Sequence, residues 1–192
     1  MSGALRLAYA FEDYIRFERE TRYKHEFVNG AIVAMASRSI EHAARCAAVL
    51  GMLGEKLRGR RCRTYDSNAR IRISTTGNAY YPDVSVVCGA LETDPVDALS
   101  IVNPTVLVEV LSPTTANYDQ GDKLADYERI PTLKHVVFVR HDMHRIDVYT
   151  RKGASLSHAS FGPGESARLA ALDVTLVVDE IYFDPLAAAE VE

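Results

Sequence analysis

The sequence predicts an α/β domain built on a mixed sheet, and three observations point there. An Asn-Gly pair separates two short apolar runs, which is a hairpin signal. A long alanine-rich stretch carries apolar residues at helical spacing, and two strongly apolar strand-like runs follow it. The order helix, hairpin, helix, strands, helix, strands is that of a mixed α/β layer structure, with no internal repeat and no linker to mark a boundary. The whole of residues 1–192 is therefore expected to be one domain, with about 185–192 as a frayed tail.

Residues from about Ala8 to Arg22 place Tyr9, Phe11, Tyr14, Ile15 and Phe17 among charges, an irregular stripe that predicts a short amphipathic helix. His25-Glu26-Phe27-Val28 and Ala31–Met35 then flank Asn29-Gly30, the type I′ turn pair that tolerates positive φ at both positions. From Ser39 to Leu57 the apolar residues Ile40, Ala43, Ala44, Ala47, Val49, Leu50, Leu53 and Leu57 predict a helix, with Ser39 as its N-cap and Gly59 past its end. Its small residues suit close packing on a sheet. Arg63 to Ser74 alternates Ala69, Ile71 and Ile73 with Arg70 and Arg72, which predicts one strand with a wet face.

Asp83 to Cys88 reads as a strand buried on both sides, and Thr105–Leu111 as a second. Between them, Gly89 to Asn103 is polar and turn-rich and is expected to be a mobile loop. A helix from about Tyr118 to Arg129 ends before Pro131. Leu133–Arg140 and Arg145–Arg151 predict a hairpin, and short strands near Leu156–Phe161 and Val174–Val178 flank Gly162-Pro163-Gly164.

A net charge of −4 argues against nonspecific coating of nucleic acid but leaves room for a locally positive groove. The densest basic cluster is Lys56, Arg58, Arg60, Arg61 and Arg63, at the end of the long helix. It reads either as cations complementing a helix C-terminus or as a patch for nucleic-acid phosphates. No signal peptide and no apolar run of roughly 20 residues is present, so a cytoplasmic protein without a membrane span is expected. Cys46, Cys62 and Cys88 lack metal-ligand spacing and read as reduced, mostly buried thiols.

Glu109 is the most informative residue. Period-two geometry puts it on the face of Leu107 and Leu111, where an ionised carboxylate costs several kcal/mol unless paired or bound to a cation. Asp83 opens the preceding apolar strand, and the two strands are expected to be sheet neighbours. Lys123, with Tyr127 and Ile130 at i+4 and i+7, borders the apolar face of its helix. The competing reading of Lys123 is a surface ion pair with Asp119, and that of Glu109 a buried ion pair.

Tyr81-Pro82-Asp83-Val84, Val108-Glu109-Val110-Leu111-Ser112-Pro113-Thr114-Thr115 and Asp119-Gln120-Gly121-Asp122-Lys123 resemble the Uma-two family of the PD-(D/E)xK, restriction-endonuclease-like superfamily. His25–Gly30, Glu41-His42 and Lys123–Pro131 extend the resemblance over most of the chain. It implies a restriction-endonuclease-like mixed central sheet flanked by helices, with additional hairpins, and an Mg²⁺-dependent endonuclease acting on nucleic acid, DNA in the first instance. Leu111 stands where the superfamily places its lysine, and Lys123 is expected to take that part from the next helix.

On this resemblance Asp83 and Glu109 are the metal ligands, for Mg²⁺ with Mn²⁺ as a substitute, and the Val110 carbonyl is a third candidate. Lys123 is the electrostatic or water-positioning group, and Glu26 is an additional ligand or an orienting acid. His42 and Tyr127 are outer candidates. The alternative is a binding or assembly module that keeps the fold without turnover, as a homodimer or as a partner of mobile-element or restriction proteins. A hydrolase of a different phosphodiester or of a glycoside is a third reading, though paired glycosidase carboxylates need no lysine.

Overall fold

The computed structural model describes residues 8–35, 38–112 and 119–187. Helix α1 (Phe11–Glu20) starts with the Ala10 amide donating to the Asp13 carboxylate at 3.2 Å. Strands β1 (His25–Val28) and β2 (Ala31–Ala34) pair antiparallel around Asn29 and Gly30. These two residues have φ of 50° and 77°, as the primed turn requires.

Helix α2 (Ile40–Lys56) is capped by Ser39, whose hydroxyl accepts from the His42 amide at 3.1 Å. The cap fixes the phase of the helix and so the direction in which His42 points.

The stretch expected to be one strand from Arg63 to Ser74 is two. Strand β3 (Cys62–Asp66) ends at a turn, where the Asp66 side chain accepts from the Asn68 amide at 2.9 Å. Strand β4 (Arg70–Arg72) then joins a different sheet. The face expected to be wet is partly dry, because Arg70 is buried against Asp97 at 3.0 Å and the Tyr81 hydroxyl at 3.0 Å.

Strands β5 (Ala79–Tyr80), β6 (Val84–Cys88), β7 (Ser100–Ile101) and β8 (Val106–Leu111) follow. The segment expected to be a mobile loop is tied down by the Arg70–Asp97 pair and by β7, which runs parallel to β4.

The helix expected from Tyr118 to Arg129 is differently wound over its described part and ends at Tyr127. A π-helical turn, Asp119–Lys123, runs into α3 (Leu124–Tyr127). Residues 113–118, with the Pro113-Thr114-Thr115 end of the strand and the start of that helix, lie outside the described residues, as do 188–192 of the expected frayed tail.

Strands β9 (His135–Arg140), β10 (Ile146–Lys152) and β11 (Ser155–Phe161) form an antiparallel meander that includes the expected hairpin. Strands β12 (Ser166–Leu169) and β13 (Val174–Val177) make a separate hairpin, and α4 (Val178–Tyr182) follows directly.

The main sheet has the order β11-β10-β9-β8-β6-β3, and a second has the order β2-β1-β5-β4-β7. Strands β8 and β9 are parallel and the other pairs of the main sheet antiparallel, so it is mixed as expected. Both of its faces are buried. Val106, Val108 and Val110 of β8 pack with Val49 and Leu53 of α2 on one face. Leu107 and Leu111 pack with Tyr127, Ile130 and Phe138 on the other. The alternation that makes both faces apolar also fixes which one receives Glu109.

One cysteine expectation is overturned. Cys62 and Cys88 are directly opposed across β3 and β6 and form a disulfide. Strand register brings them together, not their sequence spacing. Cys46 is free and half-buried. Among the described residues no helix is long and apolar enough to cross a membrane.

Candidate functional site

Strands β6 and β8 are hydrogen-bonded neighbours, with Val84 opposite Val108. One step further along the same register Asp83 stands across from Glu109. The ladder gives way there to a side chain, since the Val110 amide donates to Asp83 Oδ2 at 2.7 Å. Both carboxylates are almost fully buried.

Each carboxylate has its own set of partners. On the Asp83 side, Arg38 donates to Oδ1, and His42 Nε2 lies 3.2 Å from Oδ2. Arg38 Nη1 is also 2.6 Å from His42 Nε2, and Cys46 Sγ is 3.3 Å from His42 Nδ1. Burial pushes the Asp83 carboxyl up. The His42 hydrogen bond, the Arg38 charge and the Val110 amide outweigh burial and hold it below the usual carboxylate range.

On the Glu109 side, Lys123 is the hub. Its Nζ lies 2.9 Å from Glu109 Oε1, 3.0 Å from Glu26 Oε1 and 3.7 Å from Asp119 Oδ1. The Tyr127 hydroxyl donates to Glu109 Oε1 at 2.5 Å, and the Tyr81 amide reaches Glu26 Oε1 at 3.4 Å. Lys123 is only 3 % exposed, so it is a buried cation and not a solvated surface pair. The i, i+4 contact with Asp119 exists alongside the contacts to the sheet, as a buried contact and not the surface pair of the competing reading.

Burial pushes the Glu109 carboxyl up to about 8, against the pull of the Lys123 ammonium and with a push from the Asp83 charge. Burial would lower the Lys123 ammonium, but Glu109, Glu26 and Asp119 overcome it and raise the group above its ordinary value. The Tyr127 phenol is held well above its usual range by burial and by Glu109, so it stays a hydrogen-bond donor.

Glu26, His42, Asp83, Glu109, Lys123 and Tyr127 thus converge on one end of the β6–β8 pair. Val110 also arrives there, through its amide, which touches Asp83. Sequence reasoning missed Arg38, which stands just before the Ser39 cap of α2, four residues ahead of His42.

The basic cluster lies elsewhere. Lys56 is fourteen residues beyond His42 on α2, about 20 Å along the helix axis. Lys56 lies 4.0 Å from Glu180, and Arg60 donates to the carbonyls of Leu172 and Asp173. Arg61 and Arg63 line a shallow cavity of about 330 Å³ beside the disulfide. Arg58 is exposed near the same end of the sheet.

The donor set suits a hard divalent ion. Among the described residues in direct contact at the site, four acids (Glu26, Asp83, Glu109 and Asp119) meet two permanent cations, Arg38 and Lys123. A divalent ion on Asp83 and Glu109 would offset that deficit through the oxygen ligands it prefers.

Comparison with known proteins gives the family and the fold. The model of the Uma2 family, described as "Putative restriction endonuclease", matches residues 11–179. A protein of Synechocystis sp., "Uncharacterized protein slr1290", is 32% identical over 175 residues, 89% of this chain and 90% of that protein. A second from the same organism, "Uncharacterized protein sll1609", is 26% identical over 141 residues, 73% of this chain and 80% of that one. The crystal structure of "a putative nuclease belonging to DUF820" from Anabaena variabilis superposes with a TM-score of 0.74 at 14% identity, covering 89% of this chain and 96% of that one. That likeness establishes the fold.

Proposed function

Because the chain belongs to the Uma2 family of restriction-endonuclease-like proteins, we propose that it is a single-domain, Mg²⁺-dependent endonuclease that hydrolyses DNA phosphodiester bonds at the Asp83–Glu109 site. The observation that carries this reading is Lys123 bridging Glu109 and Glu26 from a neighbouring helix, one register step from Asp83. A surface ion pair would need none of this burial, and a glycosidase pair would need no ammonium between its acids.

Asp83 and Glu109 would hold the ion, which supplies an acidified water and neutralises charge on the phosphate. Tyr127 fixes the Glu109 carboxylate by donating to Oε1, leaving the other oxygen to turn toward the site. Lys123 holds positive charge beside the reacting phosphate and positions water there. Glu26 keeps Lys123 in place by pairing with it from β1. Arg38, with 33% of its side chain exposed, releases Asp83 and meets the incoming phosphate. The Lys56–Arg61 cluster, about 20 Å away along α2, serves the flanking backbone of a longer duplex.

The test is incubation of the purified full chain with plasmid and oligonucleotide DNA, with Mg²⁺, with Mn²⁺ and with chelator. Cleavage that needs the ion and disappears in Lys123→Met and Asp83→Asn supports the reading. A folded wild type that cleaves no nucleic acid with either ion overturns it in favour of a binding or assembly module.

A further inference from the structure

We propose that His42, Cys46 and Asp83 form a second, thiophilic cation site, selective for Zn²⁺, that competes with the hard-ion site for the Asp83 carboxylate. The donor atoms of these three residues all lie within 4.8 Å of one another. Ser39 caps α2 and sets its phase, so His42 and Cys46, at i and i+4, present one face to the entrance of β6. The two contacts along this face are 3.3 Å from Cys46 Sγ to His42 Nδ1 and 3.2 Å from His42 Nε2 to Asp83 Oδ2.

A tetrahedral ion with bonds of about 2.0–2.3 Å takes only one His42 nitrogen and holds its donors about 3.3–3.8 Å apart, so the trio would have to close by about 1 Å through side-chain rotation. A thiolate, an imidazole and a carboxylate are a borderline-soft set, which favours Zn²⁺ over Mg²⁺. The fourth position would be water. Glu109 and Glu26 are engaged with Lys123 and supply no donor to this trio.

Arg38 is the present occupant. Its Nη1 touches Asp83 Oδ1 and His42 Nε2, so a cation already sits against two of the three donors. With a third of its side chain exposed, it can leave for water when a divalent ion arrives. A metal-bound cysteine is a thiolate, so each ion bound releases the thiol proton of Cys46 to solvent as the metal–sulfur bond forms.

Binding needs no catalytic activity. Inhibition by Zn²⁺ is the further consequence, and that part rests on the endonuclease reading. Cys62 and Cys88 are paired, so Cys46 is the free thiol in oxidised protein.

The experiment is titration of the metal-free full chain with Co²⁺, followed by its absorption spectrum and then by displacement with Zn²⁺. A thiolate-to-cobalt charge-transfer band that Zn²⁺ removes, and that is missing in Cys46→Ser, is the expected result. Zinc affinity should fall at least about tenfold in that variant. On wild type alone, stoichiometric Zn²⁺ should slow alkylation of Cys46 by iodoacetamide while Mg²⁺ does not. No charge-transfer band, a band that persists in Cys46→Ser, or alkylation indifferent to Zn²⁺ overturns the site. These readouts are independent of DNA cleavage, so loss of the endonuclease reading leaves them standing, and the reverse holds.

Discussion

The Val110 amide donates to Oδ2 of Asp83 at 2.7 Å, so the β6–β8 ladder ends on a carboxylate instead of a backbone carbonyl. Asp83 is therefore held by the sheet itself as well as by Arg38 and His42. Replacing it with asparagine keeps an oxygen for the Val110 amide but removes the charge. Asp83→Asn should lower ion-dependent cleavage by at least about a hundredfold, with a melting temperature within a few degrees of wild type. Parallel cleavage assays and thermal melts by circular dichroism check this.

Lys123 should behave differently. From sequence alone, removing it would be expected to stop catalysis with little effect on melting. Its burial between Glu109 and Glu26 reverses the second half of that expectation. Lys123→Met leaves buried acids without their cation, at a cost of about 3 kcal/mol, the lower end for a broken buried pair because Glu109 can protonate. Urea denaturation should show the loss, and adding Glu109→Gln to Lys123→Met should restore part of it.

Glu109 gives the site a pH dependence whose sign comes from its raised pKa. Its folded value of about 8 lies above the ordinary 4.5, so the folded protein binds a proton that the unfolded chain has lost. That contribution is fully present below pH 4.5 and fades as pH rises through 8. Asp83 acts oppositely, adding stability above its ordinary 3.8 that is lost as pH falls through its depressed folded value. Between pH 4.5 and 8, wild type should therefore lose melting temperature with rising pH more steeply than Glu109→Gln. Mg²⁺ needs the carboxylate form, so its apparent affinity, read by calorimetry, should rise up to about tenfold per pH unit until pH 8.

The Cys62–Cys88 bridge spans 26 residues of chain. Loop-closure entropy for that length corresponds to about 3.5 kcal/mol. Cys62→Ser with Cys88→Ser should lower stability by roughly 2–3 kcal/mol under oxidising conditions. Adding dithiothreitol should bring wild type to the level of the double variant in the same denaturation assay.

Much of this architecture is legible because local rules and tertiary structure agree. Asn29-Gly30, Ser39 and the apolar run around Glu109 each specify their element through turn chemistry, capping or burial, and each is found where those rules put it. Glu109 is the clearest signal in the sequence, since a charge between Leu107 and Leu111 must be paired, and it is.

The features that escape a sequence reading depend on register and on partners distant along the chain. Arg70 reads as a wet-face residue until Asp97 and Tyr81 are brought to it. Cys62 and Cys88 have unremarkable spacing until two antiparallel strands set them opposite each other. Arg38 gives only the faint signal of its place just before the Ser39 cap of α2, four residues ahead of His42. Its role at Asp83 comes from the 45 residues that the fold closes between them.

The π-helical turn Asp119–Lys123 has a consequence for how this site tolerates change in length. A π turn holds one more residue per loop of backbone than an α turn. Trimming a single residue from Asp119–Asp122 would relax the turn to ordinary α winding with little net rotation of the downstream helix, because the extra residue is the one the π turn absorbs. Lys123 would then still face the acids, and Tyr127 and Ile130 would keep their place in the core. The turn carries slack of one residue: removing a second, from ordinary α winding, would rotate Lys123 off the acids by about 100°.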